Sequence, residues 1–226
     1  MAQSPGKNSE NNDETKSNAS HAEKYKDSPS PAFDNNSKYQ PTDNADFSTV
    51  ALDPSDGLRK LLLDCIRDLY WAENHLVMGL PKMVKAASLP VLQQAILEHL
   101  DQTKIHVQRL EQVFKVLGQE PQAKKCDAME GLAKEGEGVI ETTDAGTPAR
   151  NLGIIMSLQK IEHYEISSYT GLSKLADKLN LAAVAELLNE TLAEEEQADD
   201  NLAQIADYNF SSETDMDEQQ VAKGGQ

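Results

Sequence analysis

The sequence predicts an all-α protein built around a bundle of four long helices, and three observations lead to this fold class. Apolar residues recur at helical steps of three, four and seven in four long segments of the chain. Alternating apolar and β-branched residues, which are typical of strands, are scarce. A long connection with a shorter helical pattern of its own lies between two of the long segments. Together these features favour a four-helix bundle with a short extra helix in a long crossover.

The first 54 residues differ in composition from the rest of the chain. They are rich in Asn, Ser, Asp, Lys and Pro and contain almost no Leu, Ile or Val. Such a segment buries too little apolar area to offset the entropy that it would lose on ordering. We therefore expect a disordered polar arm at 1–54, a helical bundle at 55–207 and a flexible acidic tail at 208–226.

The first two long helices are predicted on either side of a short turn. The first begins after Pro54 in the run LRKLLLDCIRDLYWAENHL, and we expect a kink or an interruption near Pro81. Ser88 and Pro90 are a suitable cap and first turn for the second helix, and Gly118 is a suitable end.

The second half of the chain contains one short and two long helical patterns. The short pattern runs from about Cys126 to Glu141 within the crossover. Thr147 before Pro148 predicts the start of the third long helix. Asn180 is predicted to cap the fourth.

Charge and cysteine content exclude several classes of function. The 21 Lys and Arg residues against 38 Asp and Glu residues give a net charge of −17, which disfavours nucleic acid and anionic membrane as partners. The two cysteines, Cys65 and Cys126, lack zinc-site spacing and are interpreted as reduced intracellular thiols. No apolar leader and no uninterrupted membrane-spanning stretch is present, so we expect a cytoplasmic protein.

Polar side chains lie on the apolar face of every long helix, near its middle. Buried charges need partners, and two divalent cations would relieve the repulsion of converging carboxylates. Mixed carboxylate and imidazole ligation suits iron or manganese better than structural zinc. The candidate ligands are Glu73 of the first helix, His99 and Gln102 of the second, Glu162 and Glu165 of the third, and Glu194 and Glu195 of the fourth.

Each of these positions also has a purely structural interpretation. Glu73 taken alone is a boundary residue whose carboxylate reaches water. His106, on the same stripe as His99, is more often a hydrogen-bonded histidine at the core edge than a ligand, and Tyr169 is more often a packed core residue than a redox-active one. The acidic run that contains Glu194 is typical of a solvated helix face. The matching mid-helix position of all four groups favours the metal site.

A family resemblance is carried by five parts of the sequence. They are DLYWAENHL with LPKM, EHLDQT followed by HVQRLEQVF, KCDAMEGL, KIEHYEISSY and ETLAEEEQAD. With these segments, the chain from about residue 58 to 206 resembles the YciF-like family of bacterial stress-associated proteins, a ferritin-like group long known as a domain of unknown function. The resemblance implies a ferritin-like bundle, a homodimer, a di-metal centre and a role in stress survival.

One departure from the family pattern bears on the implied metal site. The family usually has an acid where this chain has Gln102, and an amide is a neutral, weaker ligand. The change is expected to lower metal affinity, to leave one metal position empty, or to shift ligation to His99 and His106. The family's ligand positions fall on Glu73, His99, Glu162, Glu165, Glu194 and Glu195 of this chain.

Three hypotheses of function follow. The leading one is a di-iron or di-manganese protein of the stress response that binds two divalent transition metal ions and handles peroxide or oxygen as a small oxidant. The second is a structural or interaction bundle without a metal, which the neutral Gln102 favours slightly. The third is iron storage, which would require a closed cage of many subunits.

Overall fold

Five helices make up residues 57–223, the part of the chain that the computed structural model describes, with side chains described for residues 57–208. No strand occurs in this part, as the sequence predicts. The arm predicted for residues 1–54 lies outside the described residues. The helices are α1 (Gly57–Ala86), α2 (Pro90–Val116), α3 (Asp127–Thr142), α4 (Pro148–Lys178) and α5 (Ala182–Lys223).

The four long helices form the predicted bundle, and α3 is the short extra helix of the crossover. Helix α1 packs against α2 and α4, and α5 packs against the same two helices. Helix α3 lies against α4 and α1 on the outside of the bundle. Met129 of α3 is buried in the core, so α3 adds to the interior that every pair of neighbouring long helices can line.

The interior contains two apolar clusters that occupy opposite ends of the bundle. The first, here called the Leu62 cluster, includes Leu62, Leu69, Leu110, Phe114, Tyr169 and Leu188. The second, the Leu76 cluster, includes Leu76, Met83, Ile96, Ile154, Leu158 and Leu202. In α2, α4 and α5 the buried carboxylates and imidazoles lie in sequence between members of the two clusters, and in α1 Glu73 directly follows Ala72, the first member of the Leu76 cluster.

The helix ends follow local backbone chemistry, with two differences from the prediction. Thr147 caps α4 as predicted, because its hydroxyl accepts a hydrogen bond from the Arg150 amide. The prediction that Ser88 caps α2 is wrong, since Leu89 is the N-cap residue and the Ser88 hydroxyl pairs with the Asn151 amide instead. The prediction that Asn180 caps α5 is also wrong. Its φ of 57° places it in the left-handed region, the conformation that ends a preceding helix, here α4.

Helix α1 is more continuous and helix α5 is longer than the sequence predicts. Helix α1 runs through Pro81 without interruption. Helix α5 continues to Lys223, so the segment predicted as a tail from residue 208 begins inside this helix, and its flexibility stays a prediction.

Cys65 and Cys126 are free thiols. None of the described helices combines the length and the apolar character that a membrane crossing requires.

Candidate metal centre

Six ionisable side chains form a polar layer where the Leu62 and Leu76 clusters meet. Every member is at most 7 % exposed. Full burial of the α1 carboxylate excludes the boundary interpretation of that residue, because its head does not reach water. The polar layer consists of Glu73 of α1, His99 and His106 of α2, Glu162 and Glu165 of α4, and Glu195 of α5.

The potential ligand atoms of the polar layer form two groups, and one carboxylate belongs to both. One atom from each of His99, Glu162, Glu165 and Glu195 lies within 4.8 Å of the others, and we call this set the His99 group. The His106 group consists of Glu73, His106 and Glu195 under the same limit.

Glu195 lies between the two groups, with one oxygen toward each histidine. Its Oε2 is 4.0 Å from His99 Nδ1, and its Oε1 is 2.9 Å from His106 Nδ1. A carboxylate in this position can bridge two cations. The two groups therefore form one continuous cluster of side chains that could hold a metal ion.

Several polar atoms of the layer have no hydrogen-bond partner, and this fits a set of metal ligands. Within the described residues, both oxygens of Glu165 and both ring nitrogens of His99 lack one. Buried polar groups are almost always hydrogen-bonded, and each orphan costs on the order of 1–3 kcal/mol. Two divalent cations would offset the charge of the four carboxylates and coordinate the orphaned atoms, so the residues present fit such ions.

Burial shifts the protonation of Glu162 and Glu165 in the direction that a metal ion would reverse. Burial, followed by the negative charge of neighbouring carboxylates, raises the pKa of Glu162 and of Glu165 well above the usual range. Burial lowers the pKa of His99, which keeps its imidazole neutral and able to donate a lone pair. Without a cation, the layer therefore holds protons on carboxylates that would be ligands when ionised.

His106 is held in place from its outer side by Glu194. Its Nε2 lies 2.9 Å from Glu194 Oε2, and Arg109 Nη1 donates to the same oxygen at 2.7 Å. Arg109 Nη1 also donates to Thr191 Oγ1 at 2.7 Å. When Nε2 donates to Glu194, the Nδ1 lone pair points toward Glu195, as a ligating histidine requires.

His106 holds its proton tightly in the absence of a cation, because negative charges surround its ring. Burial alone would lower its pKa, but the charges of Glu195 and Glu73 and the hydrogen bond with Glu194 outweigh burial and hold the pKa well above its usual range. Hydrogen bonds and positive charge from His106 and Arg109 lower the pKa of Glu194 to about 2, against the effect of burial. Glu194 is thus an ionised support of His106.

The structure brings together five of the seven predicted ligands and places the other two differently. Glu194 lies outside both groups, on the far side of His106. Gln102 is partly buried and lines a cavity beside His99 and Glu162. His106, for which the sequence favours a core-edge role, is a member of the layer, and its position seven residues after His99 was the available signal.

Tyr169 supports the other side of the His106 group. It is fully buried in the Leu62 cluster, and its hydroxyl donates to Glu73 Oε1 at 2.5 Å. Burial and then the nearby carboxylates raise the pKa of Tyr169 well above its usual range, so the phenol keeps its proton. Tyr169 is therefore both a packed core residue and a hydrogen-bond donor to the layer.

Comparison with known proteins agrees with this architecture. Residues 57–215 match the model of a family described as "Domain of unknown function (DUF892)". Protein YciF of Escherichia coli strain K12 is 36 % identical over 159 residues, which is 70 % of this chain and 95 % of that protein.

Solved structures of similar proteins have the same fold. The crystal structure of the E. coli stress protein YciF matches with a TM-score of 0.66 and 37 % identity, covering 68 % of this chain and 97 % of that one. YcfI of Rhodopseudomonas palustris, described as a proposed structural protein, matches with a TM-score of 0.63 and 36 % identity over 66 % of this chain and 94 % of that one. A Xanthomonas campestris protein with 18 % identity and a TM-score of 0.57, covering 71 % of this chain and 99 % of its own, shows the fold alone.

Proposed function

This chain belongs to the DUF892 family, a domain of unknown function, and on that premise we propose that its polar layer binds two divalent transition metal ions, iron or manganese. The observation that carries the proposal is the shared carboxylate Glu195, which is common to the His99 and His106 groups. Each group supplies one imidazole and at least two carboxylates. This mixture of oxygen and nitrogen donors suits iron and manganese.

The number of donors also supports a dinuclear centre. Di-iron and di-manganese bundles of the ferritin-like class use four carboxylates and two histidines from four helices. The polar layer has the same composition, but α2 contributes both histidines and α4 contributes two of the carboxylates. We infer that the His99 group holds one ion, that the His106 group holds the other, and that Glu195 lies between them.

We further propose that the centre handles a small oxidant, peroxide or oxygen, in the stress response. The relative YciF is described as a stress protein, which supports this role. Bound iron or manganese would supply electron transfer to the oxidant. The chain's own residues would bind the ions between two apolar clusters and keep a proton on Tyr169 beside Glu73.

Metal analysis of the purified full chain tests the proposal. Protein prepared without chelator and then supplied with iron or manganese is expected to hold about two ions per chain by inductively coupled plasma mass spectrometry. Glu73→Ala is expected to lose about one of them, because it removes a carboxylate of the His106 group. Glu196→Ala, which changes an exposed acid of α5, is the matched control. Less than about one ion per chain, with no further loss in Glu73→Ala, would overturn the metal site.

A second candidate function is a structural or interaction bundle whose polar layer carries no metal. The description of YcfI as a proposed structural protein and the neutral side chain of Gln102 favour it. The metal analysis separates it from the first proposal. Light scattering after size-exclusion chromatography tests the homodimer that we propose, and a large closed assembly would instead support iron storage.

A further inference from the structure

A cavity of about 90 Å³ lies beside the polar layer and touches all four long helices. Its inner wall includes His99 and Glu162. Its outer wall includes Glu98 and Asn201, which are exposed, so the cavity reaches the protein surface.

The cavity meets only one half of the polar layer. His99 and Glu162 of the His99 group line it, whereas Glu73 and His106 do not. Both ring nitrogens of His99 lack a hydrogen-bond partner among the described side chains, although the residue is only 7 % exposed. His99 Nε2 lies 3.4 Å from Glu162 Oε1 without forming a hydrogen bond to it. A buried imidazole with free hydrogen-bonding capacity at the end of an open cavity indicates where an external molecule can reach the layer.

The size and lining of the cavity define the class of molecule that it can take. One water needs roughly 10–15 Å³ of such space, so the cavity has room for several waters or for one molecule of a few non-hydrogen atoms. Ile96, Leu158 and Leu202 give it an apolar side. Gln102 and Asn201 add amide groups, which can both donate and accept hydrogen bonds.

We infer that this cavity is the binding chamber for a small hydrogen-bonding oxidant such as hydrogen peroxide, and that the chamber serves the His99 half of the layer alone. The inference rests on the proposed function and identifies where its small ligand binds. It also assigns a role to Gln102, whose neutral amide forms a wall of the chamber. A carboxylate at the same place could not donate a hydrogen bond to the oxidant when ionised, and it would repel a small anion used as a probe.

Azide, a small anion, is a suitable probe of the chamber. Iron-loaded, oxidised protein is titrated with azide, and binding is followed by the absorption band that azide gives with ferric iron. Ala95→Leu adds a larger side chain to the half-buried cavity wall, and the same substitution at the exposed Ala193 of α5 is the control. We expect Ala95→Leu to keep the metal content and to weaken azide binding at least about tenfold, with Ala193→Leu unchanged.

A second variant keeps the test decisive if Ala95→Leu fails to fold. Gln102→Glu preserves the shape of the wall and adds one negative charge, so it is expected to hold at least as much metal and to bind azide about tenfold more weakly.

The outcomes separate the chamber from the metal site. Protein that holds two ions but binds no azide, or that binds azide as tightly in Ala95→Leu and in Gln102→Glu as in the unsubstituted chain, overturns the chamber and leaves the metal site intact. Protein that holds no metal overturns both.

Discussion

The two halves of the polar layer share Glu195 but differ in what surrounds their remaining residues. In the His106 group, Tyr169 donates to Glu73, and Glu194 contacts the outer nitrogen of His106. In the His99 group, the histidine has no hydrogen-bond partner among the described residues, and a cavity lies against it. The His106 group is therefore held by hydrogen bonds from surrounding residues, whereas the His99 group is open to a molecule that enters the cavity. Two groups with the same kinds of ligand can therefore differ in access: one is enclosed by hydrogen-bonded residues, and the other can be reached from outside.

The largest effect is expected from removing what the two halves share. Glu195 is the carboxylate that belongs to both groups of ligand atoms within the described chain. Glu195→Gln is expected to reduce the metal content from about two ions per chain to less than about one, because both positions lose a charged ligand. Metal analysis measures the loss, with Glu196→Gln as the exposed neighbouring control. Retention of both ions would show that the halves are independent.

Replacing one histidine at a time should separate the halves. His99→Ala and His106→Ala are each expected to lose about one ion, since each removes the only imidazole of its group. The remaining ion should bind azide in His106→Ala and not in His99→Ala, because the cavity borders the His99 group. His163→Ala changes an exposed histidine that pairs with Asp199 and serves as the control. Equal azide binding in the two variants would contradict the asymmetry.

The hydrogen bond between Glu194 and His106 should affect metal binding by the His106 group only. Glu194→Gln removes the charge that orients His106, and loss of such a partner typically weakens metal binding about 10- to 100-fold. We expect this loss at one of the two ions in a chelator competition, with the other unaffected. Glu190→Gln is the matched control, because Glu190 contacts Arg109 and is more exposed. Equal weakening at both ions would show that Glu194 acts on the whole layer.

The same difference should appear in the stability of the metal-free protein. Glu165 is fully buried, and neither of its oxygens has a hydrogen-bond partner among the described residues. Glu165→Met replaces it by an apolar side chain of similar shape and is expected to raise the free energy of unfolding in urea with chelator by about 1–4 kcal/mol. Glu73→Met should gain less, because it leaves the Tyr169 hydroxyl without its acceptor. A loss of stability in Glu165→Met would favour a purely structural role of the layer.

The smallest expected effect is a dependence on pH. The pKa values of Glu162 and Glu165 are raised above 4.5 in the fold, so the native metal-free protein binds protons that the unfolded chain has released. The free energy of unfolding should therefore fall as the pH rises above about 4.5. Glu194, with its pKa lowered to about 2, acts in the other window and loses its contribution as the pH falls from 4.5 to 2. Urea unfolding at several pH values checks both slopes, and metal-loaded protein should lack the first one.

Much of this site could be predicted from periodicity within single helices. Glu73, His99 and Glu195 each occur in an apolar stripe, so a helix necessarily turns them inward. Their common level follows from the matching position of each residue near the middle of its helix. The choice between Glu194 and its neighbour could not be made with certainty, since adjacent residues lie about 100° apart around a helix and its rotation in the bundle decides which one faces inward.

The remaining features of the site depend on contacts between helices, which periodicity within one helix does not predict. His106 and Arg109 lie on α2, and their partner Glu194 is 88 residues away from His106 on α5. No spacing rule within one helix connects them. The same limit applies to Ser88, where a long-range contact with Asn151 replaced the expected local cap.

The sequence by itself determined the four long helices, the crossover helix, the family and most of the inward-facing acids, because these depend on local periodicity and on matching segments. Only the tertiary structure decided that the layer divides into two groups around Glu195, that His106 belongs to it and Glu194 supports it, and that a cavity reaches one half. The physical reason is that distances between side chains of different helices depend on how the helices are rotated and packed, and a pattern within one helix carries no information on either.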